Sequence, residues 1–134
     1  MIYFDTSALV KFVRREAESE ALRAWRGRLA PGTELATSEL ADLEITRALL
    51  RAGVDHQRVP YVAGQALRGL YVLDLSRAVL VRAKGYRLRR LGSLDAVHLA
   101  TAEPFASGMT DFVTYDDELA AAATEVGLPV TSPS

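Results

Sequence analysis

Apolar residues in this chain come in short bursts, and between the bursts they recur at helical spacing. Ile2-Tyr3-Phe4 is a β-prone run that stops at Asp5, after which Leu9, Val10 and Val13 fall on one helical face. A second helix is predicted over about 16–27, ahead of the Pro31-Gly32 turn signal, and a short strand over 35–37. Ser38 is placed to cap a helix that Gly53 stops. A helix over about 55–68 then leads to a strand over 70–75. Ser76 caps the next helix, to about residue 91, and Ser93 opens another through 106. Residues 112–115 read as a strand, 116–126 as a helix and 129–131 as a last strand, with 131–134 as a loose tail. Short strands alternating with helices, without hairpin turn pairs, predict an α/β fold with a mostly parallel central sheet flanked by helices.

At 134 residues the chain makes one domain, 1–134, by the usual allowance of roughly 100–200 residues each. Its 49% hydrophobic and 25% charged residues are the mix of a folded protein with a real core. No apolar run approaches the roughly 20 residues of a membrane span. No basic leader or cleavage site follows Met1, so a cytoplasmic, membrane-free protein is expected. The absence of cysteine excludes disulfides, thiolate metal sites and a cysteine nucleophile. A net charge of -1 gives no global attraction to nucleic acid, so any polyanion contact must be local. Fourteen of the 16 basic residues are arginine, which favours forked contacts to phosphate or carboxylate; GC-rich codons would give the same bias.

Four carboxylates carry the candidate chemistry. Asp5 and Asp116 each follow a β-prone run, which in a parallel sheet puts them at carboxyl ends of strands, where such sheets bind ligands. Each could equally be the N-cap of the next helix, and both roles are compatible. Glu44 shares a helix stripe with Leu40, Ala41, Ile45, Ala48 and Ala52, so it faces inward and needs a cationic partner, either an arginine or a metal. Asp95 sits in Ser93-Leu94-Asp95-Ala96-Val97-His98-Leu99-Ala100, a helix with almost no polar face, where it could also serve as a favourable first-turn charge. His98, one turn on, reads as a satisfied core histidine that could also join the site. Clustered carboxylates repel unless a cation neutralises them, and all-oxygen ligands favour Mg²⁺ or Mn²⁺ over zinc.

These residues resemble those of PIN-domain ribonucleases and, within them, the VapC toxins of bacterial toxin-antitoxin pairs. The resemblance covers nearly the whole chain and rests on Phe4-Asp5-Thr6-Ser7-Ala8-Leu9-Val10, Glu44-Ile45-Thr46-Arg47-Ala48-Leu49, Ser93 through Ala102, and Val113-Thr114-Tyr115-Asp116. It implies a metal-dependent endoribonuclease using Mg²⁺ or Mn²⁺, with Asp5, Glu44, Asp95 and Asp116 as catalytic and metal-holding acids. Thr6, Ser7, Thr114 and Asp117 match polar positions beside the metal. Either member of the Asp116-Asp117 pair matches the last acid. Some relatives carry an arginine just before the third acid, where this chain has Gly92, with Arg89 and Arg90 upstream. The implied partners are an RNA substrate, a cognate antitoxin and a second copy in a homodimer. The antitoxin is expected on the face of the first two helices, with Trp25 exposed there, and the homodimer through another face.

Other readings fit less well. A haloacid-dehalogenase-type phosphate enzyme needs a second aspartate where Ser7 stands. A response-regulator receiver needs adjacent acids after its first strand and a late strand-end lysine, but Lys84 falls in a predicted helix. A PIN-like RNA-processing nuclease without an antitoxin, or a non-catalytic interaction domain with incidental acids, remain as alternatives.

Overall fold

In the computed structural model, which describes residues 1–134, the run Ile2-Tyr3-Phe4 forms strand β1 (Ile2–Phe4), buried on both faces. Such two-sided burial is what a central parallel strand requires. It is flanked by β2 (Leu35–Ser38) and β4 (Asp111–Val113), with β3 (Tyr71–Leu73) and β5 (Val130–Thr131) at the two edges. Every pairing is parallel, Tyr3 lying opposite Ala36 on one side and Phe112 on the other.

The helices are α1 (Thr6–Val10), α2 (Ser19–Gly27), α3 (Glu39–Arg51), α4 (Val59–Ala66), α5 (Arg77–Lys84), α6 (Ser93–Ala102) and α7 (Asp117–Glu125), with a 3₁₀ segment over Glu103–Gly108. The period-2 alternation of β1 sorts them into layers. Ile2 and Phe4 pack with Leu9, Leu22, Ile45 and Leu49, so α1 to α4 share one core. Tyr3 points the other way, stacks on Phe112 at 5.3 Å and packs with Leu99 of α6 and Leu119 of α7.

This is the expected α/β architecture. After β3 the chain crosses to the other side of β1 to form β4. The strand order therefore reverses between β1 and β4, and the crevice beyond their carboxyl ends is where ligands bind in such sheets.

Four local expectations are corrected. The helix expected to reach about residue 91 stops at Lys84: Gly85, a poor helix former, takes the C-cap, and the chain beyond it leaves helical geometry with Tyr86, Leu88 and Leu91 packed against the second core. The helix expected through 106 changes to 3₁₀ geometry at Glu103, next to Pro104, which lacks the N–H that an α-helix needs. The tail over 131–134 is tied down rather than loose. Ser132 Oγ donates to the Thr114 carbonyl at 2.6 Å and the Tyr115 hydroxyl to that of Pro133 at 2.6 Å. Trp25 is not exposed either, because it closes the edge of the first core, packed edge-on against Phe4 at 6.3 Å.

Candidate active site

β1 hands Asp5 to the crevice. Its backbone leaves the strand extended and its carboxylate caps α1, accepting from the Ala8 N–H at 3.0 Å, so the capping role and the strand-end position hold together. The side chain is buried and further held by Ser7 Oγ, at 2.7 and 2.9 Å from its two oxygens, and by Thr114 Oγ1 at 2.7 Å. Burial pushes its pKa above the ordinary value. The His98 charge and the bonds from Thr114, Ser7 and Ala8 pull against that.

The same two hydroxyls tie Asp5 to the end of β4. Ser7 Oγ accepts from the Tyr115 N–H at 2.9 Å and Thr114 Oγ1 from the Asp116 N–H at 3.0 Å. Asp116 caps α7 by accepting from the Leu119 N–H at 2.8 Å and is half-buried, whereas Asp117 is exposed. Both line a cleft of about 310 Å³ with Glu18 and Thr114. A groove of about 1000 Å³ along α5 is lined by none of the four acids.

Glu44 enters from α3, and its inward-facing partner is neither arginine nor solvent. Its Oε1 accepts from Thr6 Oγ1 at 2.7 Å and from His98 Nε2 at 2.7 Å. Burial raises the Glu44 pKa, but the bonds from His98 and Thr6 and the His98 charge outweigh it and hold the carboxyl below its ordinary value. His98 is both things the sequence allowed: 2% exposed and fully bonded, with Nδ1 2.8 Å from the Tyr3 hydroxyl, and joined to the acids through Glu44.

Asp95 lies in the first turn of α6. Its pKa is pushed up to about 6, first by burial and then by the charges of Asp116 and Asp5; His98 opposes the rise and Glu44 adds to it. No three of the Asp, Glu and His side chains are gathered tightly enough to grip an ion as they stand. Asp5, Glu44 and Asp116 are each turned onto protein donors instead. The donor set nonetheless fits a hard divalent cation, being all carboxylate oxygen with more negative charge than His98 can offset.

The sequence reading missed Tyr3 as part of this network; a tyrosine inside an otherwise apolar strand was the available signal, because a buried hydroxyl needs a partner.

The PIN domain family matches residues 2–125. Ribonuclease VapC47 of Mycobacterium tuberculosis is 40% identical over 136 residues, 99% of this chain and 97% of the relative. Ribonuclease VapC35 of the same species is 40% identical over 137 residues, with the same coverage of both chains. Among solved structures, the M. tuberculosis toxin VapC20, described as cleaving the sarcin-ricin loop, superposes with a TM-score of 0.77 at 19% identity over 99% of this chain and 100% of its own. VapBC-1 from nontypeable Haemophilus influenzae gives 0.73 at 14% identity over 98% of both chains. These two likenesses show the fold.

Proposed function

The chain belongs to the PIN-domain family, with VapC ribonucleases as its full-length relatives, and on that premise we propose that it is a divalent-metal-dependent endoribonuclease, the toxin of a toxin-antitoxin pair. The observation that carries this reading is the geometry beyond the β1 and β4 ends, where Thr114 Oγ1 donates to Asp5 and accepts from the Asp116 N–H, while Thr6, next to Asp5, donates to Glu44. Carboxylates kept this close without a compensating cation oppose folding, so their arrangement makes sense for binding one.

Asp5, Glu44, Asp95 and Asp116 would hold Mg²⁺ or Mn²⁺. When bound, such an ion stabilises charge on the scissile phosphate and supplies an activated water. Asp5 is the most rigid of the four, since Ser7, Thr114 and the Ala8 N–H fix both of its oxygens. Thr6, with His98, orients Glu44. Asp116, not Asp117, is the acid assigned from α7, because it acts on Asp95 while Asp117 lies exposed on the first turn.

The substrate is RNA, the protein partner is a cognate antitoxin, and the chain pairs with a second copy. No helix is long and apolar enough to cross a membrane, and the proposed site of action is the cytoplasm. The test is to incubate the purified chain and its Asp95→Asn variant with RNA in Mg²⁺ and to map new ends. Discrete ends from the unmodified chain alone support the reading, whereas ends from both, or from neither, contradict it.

A further inference from the structure

We infer that His98, seated on the Tyr3 hydroxyl, is a positioning residue that fixes the Glu44 carboxylate so that a single oxygen, Oε2, is left to engage a cation. The inference rests on the metal-site reading above and adds to it a residue on the far side of the ligand set.

The protons decide the direction of the chain. Glu44 Oε1 can only accept, so His98 Nε2, 2.7 Å away, must carry a hydrogen. The Tyr3 hydroxyl, 2.8 Å from Nδ1, anchors the other side of the ring. Thr6 Oγ1, 3.1 Å from Nε2, gives its own hydrogen to Oε1 at 2.7 Å. Two donors thus converge on Oε1, while Oε2 accepts no hydrogen bond from the protein.

Packing by itself does not explain the histidine. Its neighbours on α6 are Ala96, Val97, Leu99 and Ala100, all buried, and an aliphatic side chain would fill the same place without burying two polar nitrogens. The histidine instead links Tyr3 on β1, fully buried and stacked on Phe112, to a carboxylate on α3. Glu44 has three rotatable side-chain bonds, and a carboxylate fixed beforehand loses less freedom when it engages an ion. A rigid ring anchored at both nitrogens serves this better than a flexible donor, as with the groups that stand behind metal ligands generally.

The experiment is a calorimetric Mn²⁺ titration of the full chain, alongside the Mn²⁺ concentration giving half-maximal RNA cleavage. His98→Leu should weaken Mn²⁺ binding about 10–100-fold and raise the half-maximal concentration in step. His98→Gln, whose amide reaches about as far as Nε2, should recover most of the affinity. Tyr3→Phe, which removes only the anchor for Nδ1, should weaken binding by a smaller factor. In a Glu44→Gln background, His98→Leu should cause no further loss, because its effect runs through that carboxylate.

Unchanged Mn²⁺ affinity in His98→Leu overturns the proposal, as does an equal loss with Glu44→Gln already present. If His98→Leu does not fold, Tyr3→Phe decides alone, and affinity equal to that of the unmodified chain overturns the proposal. Failure of the unmodified chain to bind Mn²⁺ overturns the metal reading as well, whereas binding that ignores every His98 and Tyr3 variant overturns only the positioning role.

Discussion

Thr114 and Asp5 stand 109 positions apart in the chain, yet Thr114 Oγ1 donates to Asp5 Oδ2 across 2.7 Å. The parallel pairing of β1 with β4 makes this contact possible: Phe4 lies opposite Val113, so the residues that follow each strand emerge side by side. Thr114 also accepts from the Asp116 N–H, which places one hydroxyl between two of the acids.

Thr114→Val keeps the shape of that residue and removes the hydroxyl. A buried carboxylate loses a donor, so stability should fall by about 1–3 kcal/mol in urea unfolding. Cleavage should fall about 10–100-fold at limiting metal, since Asp5 and Asp116 lose their common brace. Unchanged cleavage at limiting metal would show that the hydroxyl only caps and fills.

Asp5→Asn separates chemistry from folding. The carboxylate pKa is raised by burial, so its charge is held in the folded state at some cost, and an amide of the same volume relieves it. The variant relieves the buried charge but turns an amide nitrogen toward one of the Asp5 donors, so it should stay folded with a melting temperature near that of the unmodified chain while losing more activity than the roughly 10–100-fold typical of groups behind a metal ligand. A melting temperature that drops together with activity would mean that Asp5 is needed mainly for the fold.

The strand-end aspartates were legible from the sequence because β-run, acid and helix start follow one another directly at Asp5. Glu44 was legible from its place in an apolar stripe. Its partner was not, since His98 lies 54 positions away and its anchor Tyr3 another 95 from His98, distances that only tertiary packing spans. The end of α5 was misread because helical spacing in residues 77–91 gives no hint that Tyr86, Leu88 and Leu91 reach the second core from a non-helical segment after Gly85. Trp25 was misread for the converse reason: its burial depends on Phe4, which lies in a different element.

The pH dependence of stability follows from Asp95. Its folded pKa of about 6 lies above the ordinary carboxylate value, so between about pH 4 and 6 the folded state binds more protons than the unfolded chain. Stability of the metal-free protein should therefore decline as pH rises through that window. Asp5 acts in the same sense, and Glu44, with its lowered pKa, in the opposite sense. Thermal melts in EDTA from pH 4 to 7.5 should show the decline, and Asp95→Asn should flatten it. Added Mg²⁺ should raise the melting temperature more at pH 7.5 than at pH 5, where Asp95 is largely protonated. Equal shifts at both pH values would count against a shared carboxylate site.

The pinned C-terminal segment gives a structural check. Tyr115→Phe removes the hydroxyl that bonds the Pro133 carbonyl and should cost about 0.5–1.5 kcal/mol. Amide exchange in the last strand should rise with it. Exchange identical to that of the unmodified chain would mean that the segment is held by β5 pairing and Ser132 alone.

The most direct measurement is the initial rate of cleavage of one defined RNA by the purified, antitoxin-free chain in Mg²⁺, in Mn²⁺ and in EDTA, with Asp5→Asn run in parallel. Four carboxylates acting through a hard cation predict cleavage in Mg²⁺ and Mn²⁺, none in EDTA, restoration when Mg²⁺ is returned in excess, and no cleavage by Asp5→Asn under any condition. Equal rates in EDTA and in Mg²⁺, or full activity of Asp5→Asn, would contradict the assignment of these acids as a metal-dependent nuclease site.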